Sequence, residues 1–466
     1  MAHSKRVFRM LALGGCYALA GCSVGPNYVR PSAPTPVAYK ELKGWKISTP
    51  DDGLDKGRWW SAFRDPILDR LEAQVEINNQ TVKAAAAAYR QAQAIVAEGR
   101  SQLFPTATLS SSIVRASGSP PTTTVTAQAA ASWEPDLWGR IRRTIESETA
   151  GAQASAADLQ NATLSAQAAL ATDYFDLREA DSLQTLLNDT VAQFKRSLQI
   201  TQNQYKAGTT ARSDVITAQT QLLTTQAQAI NVGVARAQFE HAIAVLTGRP
   251  PADLSLSHGS LAAAIPNIPV GLPSTLLERR PDIAAAERTV QQQNALIGVA
   301  IAGYYPNITL SALAGYVGDP FSGVAKASNL IWSLGADGTQ TLFNGFLTQA
   351  QVSAARATYD QSVATYRQTV LTAFQQVEDQ LSALRILRQQ AIAEDAAENS
   401  ATLAVSIALN EYRAGTQAYT TVVTAQAAAL QNEESALSIR LQRKNAVVAL
   451  IEALGGGWDV ASLPTN

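Results

Sequence analysis

The chain is poor in the residues from which reaction centres are built. Cysteine occurs twice, at Cys16 and Cys22, and histidine three times, at His3, His241 and His258. A metal site needs clustered His or Cys ligands, and the sequence offers no such cluster. No Gly-x-Ser-x-Gly elbow and no Gly-rich phosphate loop ending in Lys-Ser/Thr occurs, so hydrolase and nucleotide chemistry lack their usual parts. Methionine stands only at Met1 and Met10, which removes a thioether path for soft metal ions. A positive excess is missing as well: Lys+Arg 37 against Asp+Glu 38 leaves nothing to neutralise phosphates, which excludes nucleic acid as a partner. Long apolar runs are absent after the N-terminus, so no helix is expected to cross a membrane, and any membrane passage must be made of β-strands. The expectation is a chain that is not an enzyme, with no catalytic residue, metal or cofactor.

What is present begins at the N-terminus. Lys5, Arg6 and Arg9 precede a short apolar run, Met10 to Ala20, broken by Gly14 and Gly15. That run is too short to span a bilayer and reads as a secretion signal over residues 1–21. Leu19-Ala20-Gly21-Cys22 follows, the pattern of a lipobox. Cleavage before Cys22 would expose an amine for N-palmitoylation and a thiol for S-diacylglycerol, anchoring the mature chain in outer-membrane lipid. It would also remove Cys16 and with it any intramolecular disulfide. Residues 22–65, rich in proline up to Pro50, read as the acylated cysteine and an extended tether.

The rest is written twice. Tyr205-Lys206-Ala207-Gly208-Thr209 matches Tyr412-Arg413-Ala414-Gly415-Thr416, and Val215-Ile216-Thr217-Ala218-Gln219 matches Val422-Val423-Thr424-Ala425-Gln426. Phe104-Pro105 with Thr108-Leu109-Ser110 matches Tyr305-Pro306 with Thr309-Leu310-Ser311. Repeat 1 spans 66–251: a helix from Pro66 to about Phe104, a β-hairpin at about 106–134, a long helix, a turn at Gly208 and a further helix. A linker, 252–272, leads to repeat 2, 273–457, with helix 273–305, a hairpin at about 307–342, a long helix, a turn at Gly415 and a last helix; 458–466 is a tail. The long helices run without proline from Gly139 to Lys206 and from Gly345 to Arg413, about 100 Å each. Leu183, Leu187, Val191, Phe194, Leu198 and Tyr205 form a coiled-coil-like seam on the first. The strands have the length and weak alternation of membrane strands. Four strands cannot close a barrel, so several chains must share one.

These features resemble the outer-membrane factor family, the TolC-like efflux channels, in its NodT-type lipoprotein branch. The resemblance rests on Cys22 with Val24-Gly25-Pro26-Asn27-Tyr28, on Trp59-Trp60 with Phe63 and Asp65, and on Trp133-Glu134-Pro135-Asp136-Leu137-Trp138-Gly139-Arg140. It also rests on Leu277-Glu278-Arg279-Arg280-Pro281-Asp282-Ile283, on Leu342-Phe343-Asn344-Gly345 and on both Tyr-x-x-Gly-Thr turns. It implies a mainly α chain carrying part of a membrane β-barrel. Three chains give a trimeric 12-stranded barrel, four strands each, continued by a periplasmic α-helical coiled-coil barrel. The implied partners are two further copies in a homotrimer, a periplasmic adaptor (membrane fusion) protein and an inner-membrane pump of RND type. The implied function is passive export of drugs or other small amphiphiles, with protein secretion or metal-ion efflux as alternative cargo.

In such a tunnel the periplasmic end must close, and residues 208–219 and 415–426 form it by the internal alignment. The family often rings this constriction with acidic side chains in the second copy. Here Thr421 and Thr424 stand instead, so the expected gate is neutral, lined by Tyr419, Thr420, Thr421 and Thr424, with Asp214 nearby as gate residue or as helix cap and dipole partner. Arg279, Arg280 and Asp282, set by Pro281, are expected to serve structure. A trimeric coiled-coil surface protein would carry its barrel at one terminus, and an adaptor lipoprotein would need lipoyl-like domains; two mid-chain hairpins fit neither.

Overall fold

Two helices of 67 residues set the dimensions of the molecule. The computed structural model describes residues 23–41, 58–266, 268, 278–319, 323 and 325–464. The secretion signal, Cys22, residues 42–57 of the tether and 273–277 of the expected second-copy helix lie outside them. The elements are α1 (Pro66–Asn78), α2 (Gln80–Ser101), β1 (Thr106–Ala116), β2 (Thr122–Trp133), α3 (Arg140–Lys206), α4 (Arg212–Leu246), α5 (Pro281–Ala302), β3 (Asn307–Gly318), β4 (Leu330–Thr339), α6 (Leu347–Arg413) and α7 (Tyr419–Ala453).

The duplication is literal in length. Helices α3 and α6 both have 67 residues, about 100 Å, and α4 and α7 both have 35. No described helix is long and apolar enough to cross a membrane. Both long helices end the same way: Gly208 and Gly415 take φ of 73° and 76°. The following amide reaches back five residues, Thr209 N–H to Gln204 O and Thr416 N–H to Glu411 O, both 3.0 Å. That 6→1 closure needs a left-handed residue, which glycine supplies without strain.

The helix expected from Pro66 to Phe104 is two helices. Asn79 takes ψ of 128° and closes both ends. Its side chain accepts from Thr81 N (2.9 Å) and Val82 N (3.1 Å) and donates to Leu246 O (2.9 Å). One asparagine thus caps α2 and holds the end of α4.

Strands pair antiparallel in the order β1-β2-β3-β4. The two hairpins join through β2 and β3, with Ala129 opposite Ala314 and Ala131 opposite Ala312. Below the sheet α3 packs against α2, α4, α5 and α7, and α6 against α5 and α7. Alanines 150, 154, 157, 168 and 171 are buried on α3, so helices approach closely through small side chains.

The largest core forms a belt halfway down α3. Trp59 and Trp60 are buried in a short 3₁₀ turn, and the Phe63 ring packs tilted against Phe175, centroids 4.8 Å apart. Asp65 caps α1 through Ile67 N and accepts from Tyr174 Oη at 2.6 Å. Lys444 lies 4.9 Å from the Phe175 ring and donates to Ala264 O (3.0 Å); burial pulls its ammonium down to about 8.

Described residues of the linker are strapped to this belt. Buried Asp181 accepts from Arg178 (3.0 Å), Arg236 (2.7 Å) and Gly259 N (3.0 Å), with His258 Nδ1 at 2.9 Å. The two arginines reach on to Ser257 O and Leu256 O. Of the charged cluster before α5, Arg280 pairs with Asp282 and donates to Ala453 O, the last residue of α7, at 2.9 Å. That is the structural role expected of it.

Removing Asp181 leaves the buried Arg178 without its anion, while the half-buried Arg236 keeps only Glu240 at 3.2 Å. Asp181→Ala is expected to destabilise the folded chain by about 3–5 kcal/mol, read as a lower denaturation midpoint. His258→Ala, whose side chain is exposed, is expected to move it little.

Candidate functional site

Two regions stand at the ends of the long helices: the sheet, and the paired turns about 100 Å below it. In the sheet the registers sort every residue onto one of two faces. One face holds Ala107, Leu109 and Ile113, then Val125, Ala127 and Ala129, then Ile308, Leu310 and Ala312, then Leu330, Trp332 and Leu334. It is bare and, apart from Ser111 and the pair Arg115 and Thr123 at its outer end, apolar: Leu109 is 86% exposed and Leu334 77%. The other holds Thr106, Thr108, Ser110, Ser112, Thr126, Gln128, Ser132, Thr309, Ser311, Ser333 and Asp337. An apolar face suits lipid and a hydroxyl-rich face suits water.

The base of the sheet is ringed by aromatics. Phe104, Trp133, Tyr304, Tyr305, Phe343 and Phe346 are all exposed where the strands meet the helices, the level of a membrane–water boundary. Trp138 Nε1 donates to Pro306 O at 2.7 Å and its ring stacks on Tyr305. The start of the described tether is fixed here. Val24 N–H donates to Trp138 O (3.0 Å), and Arg143 donates to Val24 O and Asn27 Oδ1. A Cβ on Gly25 would lie 2.4 Å from Gly298 Cα. The tether then follows α5 and α6, with Tyr28 donating to Glu287, Arg367 to Ser32 O, and Arg385 paired with Glu41. Ser23 therefore lies beside this aromatic ring, against Gly139.

At the far end the two turns share a backbone but not a packing. Tyr205 is 45% exposed, so the seam read on α3 stops at Phe194 and Leu198; its counterpart Tyr412 is 5% exposed. Tyr412 packs against Tyr419, ring centroids 5.1 Å apart, among Ala218, Ala408 and Val422. Tyr419 was expected to line the aperture, yet its ring is 2% exposed and fills the space between helices of one chain. Burial, with Tyr412 and Asp214 close by, raises its phenol to about 12.

Thr420, Thr421 and Thr424 lie on the exposed side of α7. Thr424 donates back to Thr420 O (2.9 Å), so its proton is used inside the helix. Asp214 is no cap: Ala211 holds that position and makes no side-chain bond. Asp214 sits in the first turn of α4, bonded by the Thr210 hydroxyl, where the helix dipole favours its charge. Two bonds missed in the sequence tie the copies together: Gln426 Nε2 to Ser197 Oγ, buried, at 3.0 Å, and Gln204 Nε2 to Tyr412 O at 3.4 Å.

Between tip and sheet lies an acidic seam where α3 meets α7. Burial and neighbouring Asp176 lift Asp173 to about 6, and burial raises Asp176, Glu179 and Glu434. Asp176 accepts from Asn445 at 3.0 Å. Among the described residues no group of three or more His, Cys, Asp or Glu is arranged to hold a metal ion. A raised carboxyl pKa means ionisation opposes folding above it. Asp173→Asn is therefore expected to raise the melting midpoint above wild type at pH values over about 6. The gain should shrink on acidification and vanish below about 3.8, where the folded and unfolded states are both protonated.

Comparison with known proteins agrees with this geometry. The family model described as outer membrane efflux protein matches residues 71–249 and 272–456, one segment per repeat. The toluene efflux pump outer membrane protein TtgI of Pseudomonas putida is 29% identical over 473 residues, 97% of this chain and 99% of that protein. Outer membrane protein OprJ of Pseudomonas aeruginosa is 29% identical over 98% of this chain and 97% of its own length. Among solved structures, the outer-membrane channel OprN superposes with a TM-score of 0.88 at 29% identity, covering 94% of this chain and all of that one. The Campylobacter jejuni CmeC outer membrane channel gives 0.89 at 25% identity, covering 95% and 96%. With both repeats matched and the fold shared end to end, the chain belongs to the outer membrane efflux protein family, whose members are channel proteins of the bacterial outer membrane.

Proposed function

We propose that three copies of this chain form the passive exit duct of a tripartite efflux pump. The observation that carries the reading is a two-faced sheet with bare edges, standing on helices that continue its wall. Strands β1 and β4 each have one unpaired edge within the chain. Lipid does not tolerate open edges, so each β4 meets β1 of a neighbour until twelve strands close. The helices have matching free flanks. Ile216, Leu223, Ile230 and Val234 are exposed on α4, and Ile386, Ile392, Leu403 and Ile407 on α6. Each such side chain, already partly covered within its own chain, adds on the order of 1 kcal/mol to the ring when buried between protomers.

Cys22 carries the N-palmitoyl and S-diacylglycerol groups; Ser23, held at the aromatic ring against Gly139, supports this placement. The tips of α3–α4 and α6–α7 face the periplasm and narrow it. Thr420, Thr421 and Thr424 line that opening with Asp214 close by, while Tyr419 and Tyr412 hold its frame. An inner-membrane pump of RND type, joined by a periplasmic adaptor protein, supplies the energy. The relatives named for toluene and solvent efflux support small amphiphiles as cargo.

Single-channel recording in planar bilayers tests this reading. Wild type is expected to open rarely and in small steps, and Thr424→Asp to add cation selectivity by placing three carboxylates at the narrowest point. Large, permanently open steps, or a selectivity untouched by Thr424→Asp, would contradict the gate.

A further inference from the structure

The sheet faces single out one residue that the duct reading does not use. Across all four strands only Arg115 and Asp337 are charged. Arg115 has the parity of Leu109 and Ile113 and lies next to the last residue of β1, at the outer turn. Asp337 lies on the hydroxyl face, opposite Thr309 and two residues from the end of β4. A Cβ built on Gly335 would meet Ser311 Oγ at 2.7 Å and Asp337 Oδ2 at 3.9 Å, so the carboxylate leans over that face. Among the described residues it has neither an ion-pair nor a hydrogen-bond partner. The two other carboxylates at this level are both engaged: Glu134 by Arg140 at 2.8 Å and Asp136 by Arg142 at 3.1 Å. Each chain thus contributes one uncompensated negative charge to a wall that is mostly Ser, Thr and Gln, with Val114, Leu313, Val317 and Ile331 towards its outer half.

Resting on the duct reading, we propose that Asp337 is the charge-selective residue of this channel: three Asp337 carboxylates ring the lumen at the base of the barrel and favour cationic over anionic solutes there. Twelve strands about 4.8 Å apart and tilted about 40° enclose a lumen roughly 24 Å across between backbones. The screening length decides how far the ring acts. At 0.01 M salt it is about 30 Å, longer than the lumen is wide, so the whole cross-section feels three charges; at 1 M it is about 3 Å and the ring acts only at the wall. The selectivity is therefore strong in dilute salt and weak in concentrated salt. A carboxylate on the lipid face would be destabilising instead, and Asp337 is spared this by one residue of register.

The test is the reversal potential of the full-length acylated protein in planar bilayers, across a KCl gradient centred near 0.01 M and again near 1 M. Wild type is compared with Asp337→Asn and Asp337→Lys. In dilute salt the potassium-to-chloride permeability ratio should fall at least twofold (on the order expected for a local potential of about one kT) in Asp337→Asn, and fall further in Asp337→Lys. Near 1 M the three should converge, which a merely structural role of Asp337 would not produce. Equal ratios in dilute salt, with unit conductance retained, overturn the inference while leaving the duct. A difference that persists unchanged at 1 M also overturns it, since an electrostatic ring is screened there. A wild type that does not conduct overturns the duct and the ring together.

Discussion

Backbone hydrogen bonds that have no water to turn to are the constraint on which this structure depends. Inside a bilayer every N–H and C=O of β1 to β4 must be paired within the protein. One chain satisfies the three internal ladders and leaves β1 and β4 each with an open side. Four strands are too few to curl into a closed barrel. The oligomer is thus a condition of the membrane segment existing at all. The helices inherit the consequence: placed below a shared barrel, they expose apolar flanks on α4 and α6 that fit a ring and would be a liability on a monomer.

Duplication is the second organising fact. Two copies of the same helix lengths and the same glycine turns give each chain two nearly equivalent sectors of wall. Equivalence ends where side chains differ. In the first copy Arg212 follows Tyr205 by seven residues, and Tyr205 stays in solvent; in the second, Tyr419 follows Tyr412 by seven, and the two rings bury each other. The same backbone turn is loose in one copy and braced in the other. Bonds from Gln204 and Gln426 then tie the braced copy to α3.

Much of this was legible in the residues. Gly208 and Gly415 announced both turns because only a left-handed position explains a glycine repeated at one place in two long polar helices. Proline-free stretches gave α3 and α6 to within two residues, and period-two patterns gave the four strands. The break at Asn79 stayed hidden, because an asparagine in a periodic helix is indistinguishable from a surface residue until its partner Leu246, far along the chain, is in place. Tyr419 was misread for a related reason: aligning two copies matches backbones and says nothing of which side chain finds a neighbour. The docked linker depends on Asp181, one polar residue among many on a 67-residue helix. Asp337 is legible in the alternation along β4 once both hairpins are set in register.

The most direct test of the shared barrel is disulfide trapping between its open edges. Ser333→Cys on β4 is combined in turn with Ser110→Cys, Ser111→Cys and Ser112→Cys on β1, in a chain whose Cys22 is acylated. Closure by three copies is expected to give, in one register, bands of two and three chains and nothing larger, with the three-chain species dominant under full oxidation. Bonds confined to single chains, or a ladder extending past three, would contradict it.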